Sequence, residues 1–88
     1  MNDAVVNIGK YLCFRYQGQS VSGKTEIWRV WNRQKNIVLG DIEWSGAWRQ
    51  YAFFVTFNTY FEEDCLRIIA DFVENQTRLH KINKKMKR

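Results

Sequence analysis

The chain predicts an α+β domain: an antiparallel meander of three or four strands closed by one long C-terminal helix on one face. Three observations predict it. Segments rich in β-branched and aromatic residues alternate with period 2 and are separated by short polar loops, which suit antiparallel neighbours because parallel strands need long crossovers. A single run of helical period follows residue 59. The 88 residues hold no proline, and their 16% aromatic content gives a small chain large side chains to bury.

Residues 11–16 alternate weakly, and Gln17-Gly18-Gln19-Ser20-Val21-Ser22-Gly23 breaks them with turn formers. Residues 25–31 read as the second strand and Asn32-Arg33-Gln34-Lys35-Asn36 as a hairpin loop. Residues 37–44 and 50–57 are two further strands around a turn at Ser45-Gly46. Gly40 inside a strand points to a bulge or a close backbone approach. Thr59-Tyr60-Phe61-Glu62 fits a capping box, and Glu62, Glu63 and Asp64 place negative charge at the positive pole of a helix. Cys65, Leu66, Ile68, Ile69, Phe72, Val73 and Leu79 then recur at helical spacing, so a helix is expected over residues 60–80, fraying into lysines.

Strict alternation sorts the strands into two faces. Trp28, Val30, Val38, Ile42, Trp44, Tyr51, Phe53, Val55 and Phe57 form an apolar face that should take the helix. Ile27, Arg29, Trp31, Ile37, Leu39, Asp41, Glu43, Ala52, Phe54 and Thr56 form the other. One helix covers one face of a small sheet, so the second face is expected to stay open.

The net charge of +5 is not spread over the fold. Of fourteen Lys and Arg, five (Lys81, Lys84, Lys85, Lys87 and Arg88) follow residue 80, which leaves nine against nine acids. A neutral body with a basic tail is a weaker sign of a polyanion partner than a basic patch. Cys13 and Cys65 are far apart and lack metal-ligand spacing, so two buried free thiols are expected. No segment reads as a leader or a membrane span, and the expectation is a soluble cytoplasmic domain over residues 1–88, folded from about 10 to 80, with no cofactor and no membrane partner.

Catalysis is not expected. The lone His80 suits the negative pole of the helix as a cation. Consecutive carboxylates at a helix start are capping groups, and Asp41 and Glu43 share a face with Arg29 and read as cross-strand ion pairs. Phosphate-binding glycine loops, nucleophile elbows and zinc spacings are all missing from the sequence.

Two resemblances bear on function. Arg49-Gln50-Tyr51-Ala52-Phe53 resembles the aromatic strand signature of RNA-recognition motifs, although Gln50 stands where that family has glycine and Phe54 shifts the phase. More broadly, Trp28-Arg29-Val30-Trp31, Leu39-Gly40-Asp41-Ile42-Glu43-Trp44, Trp48-Arg49-Gln50-Tyr51-Ala52-Phe53 and Cys65-Leu66-Arg67-Ile68-Ile69-Ala70-Asp71-Phe72 resemble small uncharacterised bacterial proteins of mobile-element type, the cargo of phages and integron cassettes. That likeness spans roughly residues 25–75 and implies one domain ending in a helix, with no activity attached.

The expected function is therefore protein binding, as a homodimer or with a protein partner, through Trp31, Leu39 and Phe54 rimmed by Arg29, Asp41 and Glu43. The alternative is single-stranded nucleic-acid binding through sheet aromatics with Trp48, Arg49, Lys81, Lys84, Lys85, Lys87 and Arg88.

Overall fold

The computed structural model describes residues 4–56 and 58–86. Five strands, β1 (Val5–Ile8), β2 (Leu12–Gln19), β3 (Glu26–Asn32), β4 (Ile37–Ser45) and β5 (Gln50–Val55), precede one helix, α1 (Glu63–Met86). They pair antiparallel in chain order β1-β2-β3-β4-β5. The α+β meander closed by a helix is as expected, with one strand more. The extra strand, β1, is four residues of Val-Val-Asn-Ile with exposed edges, too short to show an alternation of its own. A meander with no helix between its first strands also departs from the RNA-recognition fold.

Two of the hairpin loops, β3–β4 and β4–β5, are organised by a polar side chain at the end of the strand before them. Asn32 Oδ1 accepts from the Gln34 and Lys35 amides at 3.0 Å, and Asn36 closes the loop with φ 56°. The turn Gly46–Arg49 repeats the device: Ser45 Oγ accepts from the Trp48 amide at 3.3 Å and Arg49 adopts φ 58°. Both endings need left-handed backbone, which asparagine tolerates better than arginine.

Phe14, Leu12, Val30 and Ile42 are wholly buried between sheet and helix, joined by Leu39, Tyr51 and Ile69. The helix contributes Ile69 and, half-buried, Cys65, Ile68, Phe72 and Val73. Phe72 stacks on Phe14 with ring centroids 4.2 Å apart and meets the Trp28 edge at 5.1 Å. Aromatic pairs of this geometry add to the burial of their area.

Two helix boundaries differ from expectation. Thr59 does not cap the helix; its hydroxyl donates to the Thr56 carbonyl at 2.8 Å. Glu62 is the cap: its carboxylate accepts from the Cys65 amide at 2.5 Å and its carbonyl from the Leu66 amide at 3.0 Å. Hydrogen bonds from the Cys65 thiol and then the Cys65 amide hold the Glu62 carboxyl below its usual pKa. At the far end the helix runs on through Lys81, Lys84 and Lys85 to Met86, and these cations favour the negative pole of its dipole.

The largest correction concerns β4. Val30 pairs with Gly40 but Trp31 pairs with Val38, so Leu39 is the extra residue of a bulge. Past it the strand changes phase. Leu39 turns to the helix side and is only 6% exposed, while Val38 lies beside Trp31 on the other side. Leu39 is thus core and not part of the open face. Phe57, assigned by alternation to the helix side, lies outside the described residues.

Candidate functional site

The face opposite the helix follows from register and alternation. Starting from buried Phe14, Val30 and Ile42, the neighbouring strand positions point the other way: Cys13 and Arg15 on β2, Ile27, Arg29 and Trp31 on β3, Val38, Asp41 and Glu43 on β4, Ala52 and Phe54 on β5.

Of the residues expected there, the fold brings Arg29, Trp31, Asp41, Glu43 and Phe54 onto one surface. Arg29 and Asp41 are direct cross-strand partners joined by two hydrogen bonds, Nε to Oδ1 at 2.9 Å and a terminal nitrogen to Oδ2 at 3.3 Å. Asp41, and Glu43 more weakly, stabilise the Arg29 charge and raise its pKa. A forked pair of this kind fixes both side chains and holds the strands in register. It also balances the charge at the centre of the face.

Trp31 is held by its neighbours. The Arg15 guanidinium lies 4.7 Å from its ring centre, a cation–π contact, and Cys13 pairs with it across the strands. Cys13 is consequently 5% exposed although no helix covers it. The Trp31 indole nitrogen is covered and has no hydrogen-bond partner among the described residues. Phe54 is different. It lies on the edge strand, opposite Asp41, and is 51% exposed. The face therefore has a braced tryptophan in its middle and a free phenylalanine at its margin.

The groups considered for nucleic acid lie at another end of the molecule. Trp48, 72% exposed, and Arg49 sit in the β4–β5 turn. Lys81 and Lys85 line a groove with Gln50 near that turn, and Lys84 lies on the opposite flank of the helix beside Lys24. Lys87 and Arg88 lie outside the described residues.

Alternation did not reveal one further grouping. The register shift between Tyr16 and Gly18 lets the Tyr16 phenol donate to the Glu26 carboxylate, and the Glu26 amide donates to the Tyr51 phenol at 2.9 Å. The hydrogen bond to Glu26, with burial and its charge, pushes the Tyr16 phenol up to about 12, and burial raises that of Tyr51. Glu26 and Tyr51 border a cleft of about 690 Å³ with Gln76, His80 and Lys84. His80 packs its ring 4.5 Å from Trp44 and not at a helix end, because α1 continues six residues beyond it. Phenols that hold their protons this firmly make poor bases, and the Glu26 carboxylate is already engaged. The described residues contain no cluster of His, Cys, Asp or Glu able to hold a metal, and no helix long and apolar enough to cross a membrane.

Compared with known proteins, the chain matches no family model, no curated protein and no solved structure. The functional reading rests on the geometry of the site.

Proposed function

We propose that this chain is a non-enzymatic protein-binding module that self-associates through the open, aromatic-rich face of its sheet. The observation that carries the reading is Phe54, a half-exposed phenylalanine next to an ordered polar and aromatic surface on the side the helix leaves bare. Large aromatics beside satisfied polar groups are the usual anchors of protein contacts. The occupant follows from charge. Arg15 and Arg29 face Asp41 and Glu43 on this surface, so it carries no net sign and can complement a copy of itself under a two-fold axis. Cys13 and Cys65, both free, fit a cytoplasmic setting.

Light scattering from micromolar to sub-millimolar concentration tests it. A concentration-dependent dimer that Phe54→Asp abolishes, with the helical circular dichroism intact, is the expected result. A strict monomer at every concentration overturns the proposal.

A second reading, single-stranded nucleic-acid binding, draws on the cations of the last helical turns and the exposed Trp48. It requires affinity that falls steeply with salt and is lost on Trp48→Ala as well as on removal of the lysines. Binding that depends on the lysines alone is non-specific attraction to a polyanion.

A further inference from the structure

We infer that two copies of this chain join edge to edge along β5, making one continuous sheet with the two helices side by side on it. The inference rests on the self-association proposed above and keeps Phe54 as its anchor, but it places the contact along the β5 margin of the open face and not across the whole of it.

Backbone hydrogen bonding comes first. Along β5 the even-numbered residues turn their amides toward β4, as Thr56 shows by donating to the Leu39 carbonyl at 2.9 Å. The odd-numbered residues turn theirs outward, as Tyr51 shows by donating to Thr77 Oγ1 at 3.0 Å. Thr77 closes the edge at residue 51. Beyond it, the outward donors and acceptors of Phe53 and Val55 have no partner among the described residues. Natural edges are commonly blunted by charge, proline, a bulge or a cover. β5 has no charged residue, proline or bulge, and Val55 is 55% exposed.

The segment is self-complementary. A two-fold axis through Phe54 sets Phe53 opposite Val55 of the second copy, and Val55 opposite its Phe53. Each such pair exchanges both amide–carbonyl bonds. Phe54 then faces Phe54 of the second copy in the close, non-hydrogen-bonded position, about 4.5 Å between Cα atoms. The exposed ring is thereby covered on the open face.

The helix side agrees independently. Of the five strands, β5 lies nearest the helix backbone. The flank of α1 overlooking that edge carries Leu66, Ala70, Val73 and Thr77, a stripe at spacings of four, three and four residues. Leu66 is 50% exposed, and Ala70, Val73 and Thr77 border a groove of about 680 Å³ with Gln50 and Tyr51. The axis that pairs β5 with itself also runs the two helices antiparallel with these flanks facing. Small Ala70 at the crossing suits helix axes about 8–10 Å apart. Arg67, which pairs with Asp64 and Glu63 on its own helix, and Glu74 lie three residues before and four after Ala70, so the same axis adds Glu74 of the other copy to the surroundings of Arg67. Strand, helix and charge thus select one occupant, a second copy of the same chain.

The test combines hydrogen exchange with one substitution on the full chain. Exchange at the Phe53 and Val55 amides should slow at least tenfold between dilute and concentrated samples, while the already bonded Thr56 amide changes little. Val55→Pro deletes one outward donor and none of the bonds to β4, a position where an edge strand accepts proline. It should weaken the dimer at least tenfold with unchanged circular dichroism, and Val55→Thr, which keeps the amide, should not. A dimer that survives Val55→Pro at full affinity but is lost on Phe54→Asp overturns edge pairing and leaves the open-face contact standing. A strict monomer whose Phe53 and Val55 amides exchange freely at every concentration overturns both. Protection of those amides only when a different protein is added also overturns the second copy as occupant.

Discussion

Replacing Gly40 by alanine should unfold the protein far more readily than the same change at Gly46, and the difference can be worked from the structure. Gly40 is buried at the bulge of β4, opposite Val30 on one side and Val55 on the other. A Cβ there would sit 2.7 Å from Phe53 Cε1 and 2.9 Å from its Cζ, and would collide with the Phe54 carbonyl oxygen. Carbon atoms pack at about 3.5–4.0 Å, so the ring would have to retreat by roughly 1 Å. It is not free to do so, because it packs edge-on against Phe61 at 5.5 Å. The Phe54 carbonyl is backbone in the ladder to β4, and moving it parts the strands. Overpacking of this kind costs about 1–3 kcal/mol, and displacement of a strand puts Gly40→Ala near 3. For a domain of this size that is a fall in Tm of roughly 12–24 °C. Gly46 has nothing within 4 Å of its Cβ position and no left-handed backbone, so Gly46→Ala should be neutral or stabilise by about 0.4–1 kcal/mol. Thermal and urea unfolding followed by circular dichroism measures both. A Gly40→Ala midpoint within a few degrees of the parent, or equal shifts for the two variants, would refute the reasoning.

Phe72→Ala, which removes the ring stacked on Phe14 and set edge-on to Trp28, should cost about 3 kcal/mol in urea unfolding. Arg49→Gly should stabilise by roughly 0.5–1 kcal/mol, because it relieves a left-handed arginine in the β4–β5 turn, and a higher melting temperature would show it. Stability should be flat from neutral pH and then fall on the alkaline side. Burial, Glu62 and Asp64 lift the Cys65 thiol from 9.0 to about 11, and Glu26 lifts the Tyr16 phenol from 10.0 to about 12. The folded state keeps these protons where the unfolded chain has released them, so the loss runs between pH 9 and 12, and Tyr16→Phe should remove its upper part.

Strand positions were legible in the sequence wherever alternation met a polar loop, and the open face was legible because a single helix follows the sheet. The helix core was read from Ile69 and Phe72, which the structure places against the sheet. Where the reading failed, a local event outweighed the pattern. One extra residue at the bulge reversed the facing of Leu39 and Val38, and only the pairing across β3 reveals it. Thr59 and Glu62 have the spacing of a capping box, yet the left-handed Asn58 begins a further loop and hands the cap to Glu62 itself. The lysines after residue 80 read as a frayed tail because their charge outweighed their helix propensity in that reading. The Tyr16–Glu26–Tyr51 grouping depends on a register shift and on a contact 25 residues apart, neither of which a periodicity records.

Chain order and spatial order coincide in this sheet, and that governs how the molecule comes to be folded. Every strand pairs with its immediate predecessor, so the five can zip together as successive hairpins with little loop-closure entropy at each step. Speed is not their difficulty. Among the described residues, Phe14, Val30 and Ile42 are covered by α1 with Phe61 just before it, and α1 follows all five strands in the chain. During synthesis the finished sheet must wait with its apolar side bare until residues 63–86 clear the ribosome. A chain stopped before Glu63 should therefore collect in aggregates, and docking of α1 is the step that makes the product safe to release.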